Sequence, residues 1–228
     1  MHHSTPPSPD TTVSWSTIRV TGDDARTYLQ GQLTADVGNR SATSLLLAPN
    51  SVVICDLHLD YNEHAVSLTL RSELVEATMQ RLRRFVLRSN CAFELTDALV
   101  HPYNTLGEQV ALGLAGPHEY ARELTPHSFG VNYVEQHVSF TKGCFTGQEL
   151  VGRLDARGAN VPYRLVTFVA KDVAAAIEAT KRGPDGGAQG VTTMISDGNE
   201  VRGLALVHRT LVDGEVDGVT VATVGGAR

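Results

Sequence analysis

The chain has 228 residues, 42% of them hydrophobic and 19% charged, with a formal net charge of −6. That apolar content is enough for a real core, and the acidic balance with no long basic run argues against a dedicated nucleic-acid binder. No apolar run approaches the roughly 20 residues that a membrane helix needs. Residues 1–12 are rich in Pro, Ser and Thr, carry no signal-peptide pattern and read as a disordered tail. Residues 14–20 are predicted to form a strand, followed by a helix through Ala25, Tyr28, Leu29 and Leu33, capped by Thr21 or Asp23. Gly31 inside that helix costs roughly 1 kcal/mol relative to Ala and suggests a close neighbour. Two strands, 44–47 and 51–59, flank Ala48-Pro49-Asn50, and a third spans 65–70. Ser72 is placed as the cap of the best-patterned helix, which has Glu73 and Glu76 at its start and Arg81, Arg83 and Arg84 at its end. A strand over 88–95 follows, so that 51–95 reads as a ferredoxin-like α+β unit.

The last third differs. Short Val- and Thr-rich stretches at 165–169, 190–195, 201–208 and 216–224 are separated by turns at Gly186-Gly187, Asp197-Gly198-Asn199 and Asp217-Gly218. This pattern predicts a small antiparallel barrel or sandwich. The division expected is a region 13–160 and a second domain 161–228, with the boundary near Asn160-Val161-Pro162.

Cys55, Cys91 and Cys144 are odd in number and far apart, which argues against a disulfide framework and for a reducing compartment, taken as the cytoplasm. No Cys-x-x-Cys or zinc-type His spacing occurs, so no metal site is expected. An all-thiolate cluster takes four cysteines, so any cluster chemistry has to share ligands with a partner. Cys55 and Cys91 sit in apolar strand patterns and read as packing residues.

The chemistry concentrates in Lys142-Gly143-Cys144-Phe145-Thr146-Gly147-Gln148-Glu149. A thiol stands between an ammonium and the expected start of a helix, and both favour thiolate. An inert, buried cysteine on a tight turn is the alternative. Gly143 and Gly147 allow backbone geometry that a side chain hinders. Glu149 suits the first helical turn, and Arg153 is placed to pair with it at i, i+4 or to meet an anion.

This octapeptide, continued by Leu150-Val151-Gly152-Arg153-Leu154-Asp155-Ala156-Arg157-Gly158, resembles the signature of the YgfZ-type folate-binding family of the glycine-cleavage T-protein superfamily. Phe145 stands where Tyr is usual, and Gly152 where Ala is usual. A second block, Thr21-Gly22-Asp23-Asp24-Ala25 with Tyr28-Leu29-Gln30-Gly31-Gln32-Leu33-Thr34-Ala35-Asp36-Val37, is similar to the family's amino-terminal pattern. The resemblance implies an α+β T-protein-like fold with ferredoxin-like subdomains and a carboxy-terminal barrel. It implies binding of tetrahydrofolate or a one-carbon derivative, and a link to iron–sulfur cluster assembly or repair through client or assembly proteins. On that resemblance Cys144 is the functional thiol and Asp56 the counterpart of the superfamily's catalytic aspartate. Lys142, Gly143, Phe145, Gln148, Glu149 and Arg153 are the cofactor-binding candidates. Several features depart from the pattern. Cys55 replaces one acid of the acidic pair, and Leu68-Thr69-Leu70-Arg71 lacks the asparagine of the transferases. The stretch 95–125 is short, with apolar Ala111 or Leu112 where a polar strand residue reaches the folate in relatives. Three functions stay open: a folate-dependent accessory factor that is not a turnover enzyme, a folate-dependent one-carbon transferase or demethylase, and an interaction module without ligand.

Overall fold

The computed structural model describes residues 5–38, 42–181, 190–211 and 213–224. The first sheet is built from β1 (Trp15–Thr21), β2 (Ala42–Leu47), β3 (Val53–Tyr61), β4 (Ala65–Arg71) and β5 (Ala92–Asp97), with α1 (Ala25–Gln32) after β1 and α2 (Val75–Phe85) after β4. Its order is β2-β3-β4-β1-β5, antiparallel throughout. Without β2, the path β1-α1-β3-β4-α2-β5 is a βαββαβ unit of ferredoxin-like order. Residues 51–95 are therefore only part of that unit, because β5 pairs with β1 (Val20 opposite Phe93) and not with any strand of that segment.

Two helix starts differ from expectation. Ser72 opens a 3-10 turn (Ser72–Leu74) ahead of α2, and its hydroxyl meets that of Ser16 at 2.7 Å instead of capping. Asp24, not Thr21 or Asp23, precedes α1, and its carboxylate accepts the Asn90 amide at 2.7 Å, tying the helix start to the segment before β5. Cys91 lies just ahead of β5, partly buried against the core.

The middle segment is helical: α3 (Leu106–Ala111), α4 (Pro117–Tyr120), a 3-10 turn (Pro126–Phe129), α5 (Val131–His137) and α6 (Gln148–Ala156). Thr105 caps α3 through the Glu108 amide at 3.2 Å. Ala111 and Leu112 therefore end a helix instead of occupying a strand, and Leu112 is exposed.

The second sheet contains β6 (Tyr163–Ala170), then after α7 (Val173–Thr180) β7 (Gly190–Asp197), β8 (Glu200–His208), β9 (Gly214–Val216) and β10 (Val219–Thr223), ordered β7-β8-β6-β10-β9. The expected barrel is an open sheet among the described residues, since β7 and β9 are edges that do not pair with each other. The turn expected at Gly186-Gly187 lies outside the described residues. The strand-only reading missed α7, whose signals are an Ala-rich run and Asp172, which caps it through the Ala175 amide at 2.7 Å. One face of this sheet packs on α7 through Val166, Phe168, Ala176 and Ala179. From the other face, Leu165, Ile195, Leu204 and Leu206 join the core of the first sheet. Among the described residues no helix is long and apolar enough to cross a membrane.

Candidate functional site

Strand alternation on β3 separates two kinds of residue. Val53, Cys55, Leu57 and Leu59 are fully buried on the face that meets α2, where the Cys55 sulfur lies 3.2 Å from the Thr78 hydroxyl. Burial pushes this thiol up to about 12, so Cys55 is an inert core residue. Ile54, Asp56 and His58 point to the opposite face, towards the helical middle segment. Cys55 therefore lies on the opposite face of the strand from Asp56.

Around Asp56 the fold gathers buried polar side chains from distant parts of the chain. Tyr103, Tyr120 and Tyr133 are all buried, and the Tyr120 and Tyr133 hydroxyls stand 2.9 Å apart. His137 stacks on Tyr133 at 4.3 Å between centroids, and its Nδ1 lies 2.7 Å from the Tyr133 carbonyl. Trp15 packs edge-on against both His58 and Tyr103. Arg71, buried at the end of β4, donates to the Tyr103 hydroxyl (3.1 Å), Gln109 (3.0 Å) and Glu73 (2.6 Å). Glu119, fully buried, accepts from the Gly116 amide (2.8 Å) and from the Thr193 hydroxyl of β7 (2.7 Å), which ties this region to the second sheet.

The electrostatics follow from burial. Desolvation raises the Asp56 carboxyl above its usual range, opposed by the Tyr120 hydrogen bond and by the charges of His58 and Arg71. Desolvation and the Asp56 charge together hold the Tyr120 and Tyr133 phenols well above 10 and push Tyr103 up to about 12. Burial also lowers His58 and His137 below the usual 6.5. Burial works against the Arg71 charge, but Glu73 and Tyr103 more than offset it. The result is a carboxyl that favours its proton more than usual, surrounded by neutral phenols and imidazoles, with one guanidinium at its edge.

The signature loop is organised differently. Lys142 donates from Nζ to the carbonyls of Gln30 (2.6 Å), Leu33 (2.6 Å) and Ala35 (3.1 Å), closing the end of α1. Burial brings its ammonium down to about 8 against the pull of Asp36. Its contacts are thus with backbone, plus the Phe145 ring at 5.3 Å. Phe145 is itself buried in the main core. The Thr146 amide donates to Gly31 (3.1 Å), and the Ser51 hydroxyl donates to the Gly147 carbonyl (2.6 Å). Gly147 has φ +85°, and a Cβ there would meet the Ala48 carbonyl oxygen at 3.1 Å. Gly143 has open space where a Cβ would go, so no close approach requires glycine there. Helix α6 starts at Gln148, downstream of Cys144, and Glu149 pairs with Arg153 at 2.5 Å on the exposed surface. Cys144 is exposed. Among the described residues no three His, Cys, Asp or Glu side chains converge as a metal site.

No family profile matches the chain. It is similar to an uncharacterized protein of Haemophilus influenzae, 26% identical over 188 aligned positions that cover 63% of this chain and 67% of that protein. It is also similar to the tRNA-modifying protein YgfZ of Yersinia pestis and of Yersinia pseudotuberculosis, 24% identical over 222 aligned positions, 64% of this chain and 66% of theirs. The chain is a relative of the YgfZ proteins. It spans about two thirds of the length of the curated relatives it matches. The fold is similar to that of the glycine cleavage system aminomethyltransferase T of Bartonella henselae, with TM-score 0.59 and 14% identity over 95% of this chain and 84% of that one.

For a YgfZ relative, the signature residues flagged in the sequence separate into two groups. Lys142, Phe145 and Gly147 hold the loop to the body, while Cys144, Glu149 and Arg153 reach the surface. Sequence reasoning missed Tyr103, Gln109, Glu119, Tyr120, Tyr133 and His137. The available signal was weak: polar aromatic residues recurring through a segment of short helices with no clear periodicity.

Proposed function

We propose that this chain is a folate-binding accessory protein that supports the assembly or repair of iron–sulfur enzymes, with Cys144 as its working thiol. The observation that carries the reading is an exposed Cys144 on a loop whose neighbours are clamped on both sides. A thiol on a fixed backbone can meet a partner's cluster or thiol without a large ordering cost. Cys55 is locked in the core, so the chain has too few accessible thiols for an all-cysteine cluster of its own. The relatives' name concerns tRNA modification. A net charge of −6 suits contact with a modifying client enzyme more than with RNA.

The donor set at Asp56 fits tetrahydrofolate or a one-carbon derivative. A carboxyl with a raised proton affinity, a neutral imidazole at His58 and the Tyr120 hydroxyl suit the ring nitrogens and amide of a pterin. The ligand would bring one-carbon chemistry; the chain's part would be to orient it and to hold a proton at Asp56. Gly143, Gln148 and the Glu149–Arg153 pair are the signature's remaining candidates for ligand contact. A transferase reading is weaker, because Cys55 replaces one acid of the pair and Leu68-Thr69-Leu70-Arg71 lacks the asparagine of the transferases.

A second reading, an interaction module without ligand, is favoured by the way Tyr103, Tyr120 and Tyr133 fill the space against Asp56. Calorimetric titration with tetrahydrofolate separates the two. The accessory reading expects micromolar, saturable binding in the wild type and Cys144→Ala, and weaker binding in Asp56→Leu. Failure of the wild type to bind would leave the module reading. The thiol is tested apart, by asking whether Cys144→Ala restores iron–sulfur enzyme activity in cells lacking the protein; full restoration would remove Cys144 from the mechanism.

A further inference from the structure

A cleft of about 340 Å³ opens where α6 gives way to β6. Its lining includes His127, Gly130, Asn160, Arg164, Arg209 and Thr223, and no lining residue is acidic. The two arginines are fixed from different strands. Arg164 on β6 donates from one terminal nitrogen to the carbonyls of Arg209 and Leu211. Arg209, just after β8, donates to the Asn160 side chain, and its own amide is bonded to the Pro162 carbonyl at 2.9 Å. Among the described residues neither guanidinium has a carboxylate partner. Asp155 lies 4.0 Å from Nε2 of the lining residue His127. The Arg164 Nε–H is buried with no hydrogen-bond acceptor. A buried donor left unmade costs about 1–3 kcal/mol. Two oriented, uncompensated guanidinium groups in a chain of net charge −6 are an arrangement that an oxyanion would satisfy.

We propose that this cleft binds the phosphate group of a small phosphorylated compound. A tetrahedral, multiply charged oxyanion can accept from two guanidinium groups arriving from different directions, and Arg forks match phosphate geometry. The cleft volume lies at the lower end of small-molecule sites, about 300–1,000 Å³. A nucleic-acid strand is a poorer occupant, because its affinity rests on many phosphate contacts and is opposed by the overall negative charge. The site shares no residue with the Asp56 cluster or the Cys144 loop, so it stands whether or not the folate reading holds.

The test is titration of the full chain with inorganic phosphate and with a nucleoside monophosphate, followed by calorimetry and thermal unfolding, with equal ionic strength of chloride as control. Saturable binding with a raised melting temperature is expected, weakened at least tenfold in Arg164→Gln and in Arg209→Gln. Arg209 is exposed, so Arg209→Gln keeps the test valid if Arg164→Gln fails to fold. Absence of saturable phosphate binding, or binding that both variants retain, overturns the site. A single-stranded oligonucleotide that binds far more tightly than the monophosphate, and loses that binding in Arg209→Gln, overturns the small-molecule assignment.

Discussion

The interior around Asp56 and the loop around Cys144 both collect reactive side chains, but they treat them in opposite ways. At Asp56 the polar atoms of separate elements turn towards each other, away from water, and burial raises the carboxyl and the phenols while lowering the imidazoles. At the loop the backbone and the charged stem face inward, and the thiol faces out. A motif thus marks where the chain is held as much as where it reacts. Of the signature side chains, Lys142 and Phe145 support the fold, and Cys144, between them, is left exposed.

The sharpest way to break this contrast is at the loop's two glycines. Gly147→Val forces a β-branched side chain into φ +85° against the Ala48 carbonyl. The expected loss is about 3 kcal/mol, from a range of 1–3 for a strained backbone with added crowding. Gly143→Ala meets nothing within 4 Å and should leave stability nearly unchanged. Urea denaturation of both variants checks this; equal losses would show that the loop is not held in the way described.

Next in size is Lys142→Met. Removing the ammonium leaves the carbonyls of Gln30, Leu33 and Ala35 without their shared donor, and about 2 kcal/mol is expected to be lost. The pH dependence gives an independent reading. The folded value of about 8 lies below the usual 10.5, so the unfolded chain binds more protons between them. The wild type should therefore gain stability relative to Lys142→Met as pH rises through that window. A gap that stays constant with pH would place the ammonium in water.

A smaller effect is expected at Gly31. The sequence suggested a close neighbour as the reason for glycine inside α1, but a Cβ there meets nothing within 4 Å. Its carbonyl accepts from Thr146, a bond that alanine keeps. Gly31→Ala should stabilise the fold by about 0.5–1 kcal/mol, read as a rise in urea midpoint at constant slope.

Strand parity and helix periodicity made most of the first sheet legible. The apolar pattern around Cys55 marked β3 and made that cysteine a packing residue, and the i, i+3, i+4 pattern set α1. What was not legible depended on long-range pairing. Nothing local shows that β5 joins β1, completing the ferredoxin-like unit from outside 51–95, or that the second sheet stays open. The site shows the same limit. Asp56 was named only through the family resemblance, whereas Tyr120 and Tyr133 reach it from short helices and Tyr103 from the loop ahead of α3, all set by tertiary contacts. Lys142 looked like a partner for the thiol because sequence adjacency is visible and the end of α1, more than a hundred residues away, is not.

The smallest predicted effect bears most directly on function. Burial raises the Asp56 carboxyl, so the folded state holds this proton more tightly than the unfolded chain. Its favourable contribution is complete below the usual carboxylate value of 3.8 and is lost as pH rises through the folded value. Asparagine cannot ionise, so Asp56→Asn should gain on the wild type between about pH 4 and 7 in chemical denaturation. Asp56 thus taxes stability at neutral pH without closing a helix end as Lys142 does. Perturbed carboxyls in buried polar clusters concentrate at functional sites. A variant that is less stable than the wild type by the same margin at both pH values would mean that His58, Arg71 and Tyr120 hold Asp56 ionised. The carboxylate would then be one more structural partner, and the contrast with the loop would close.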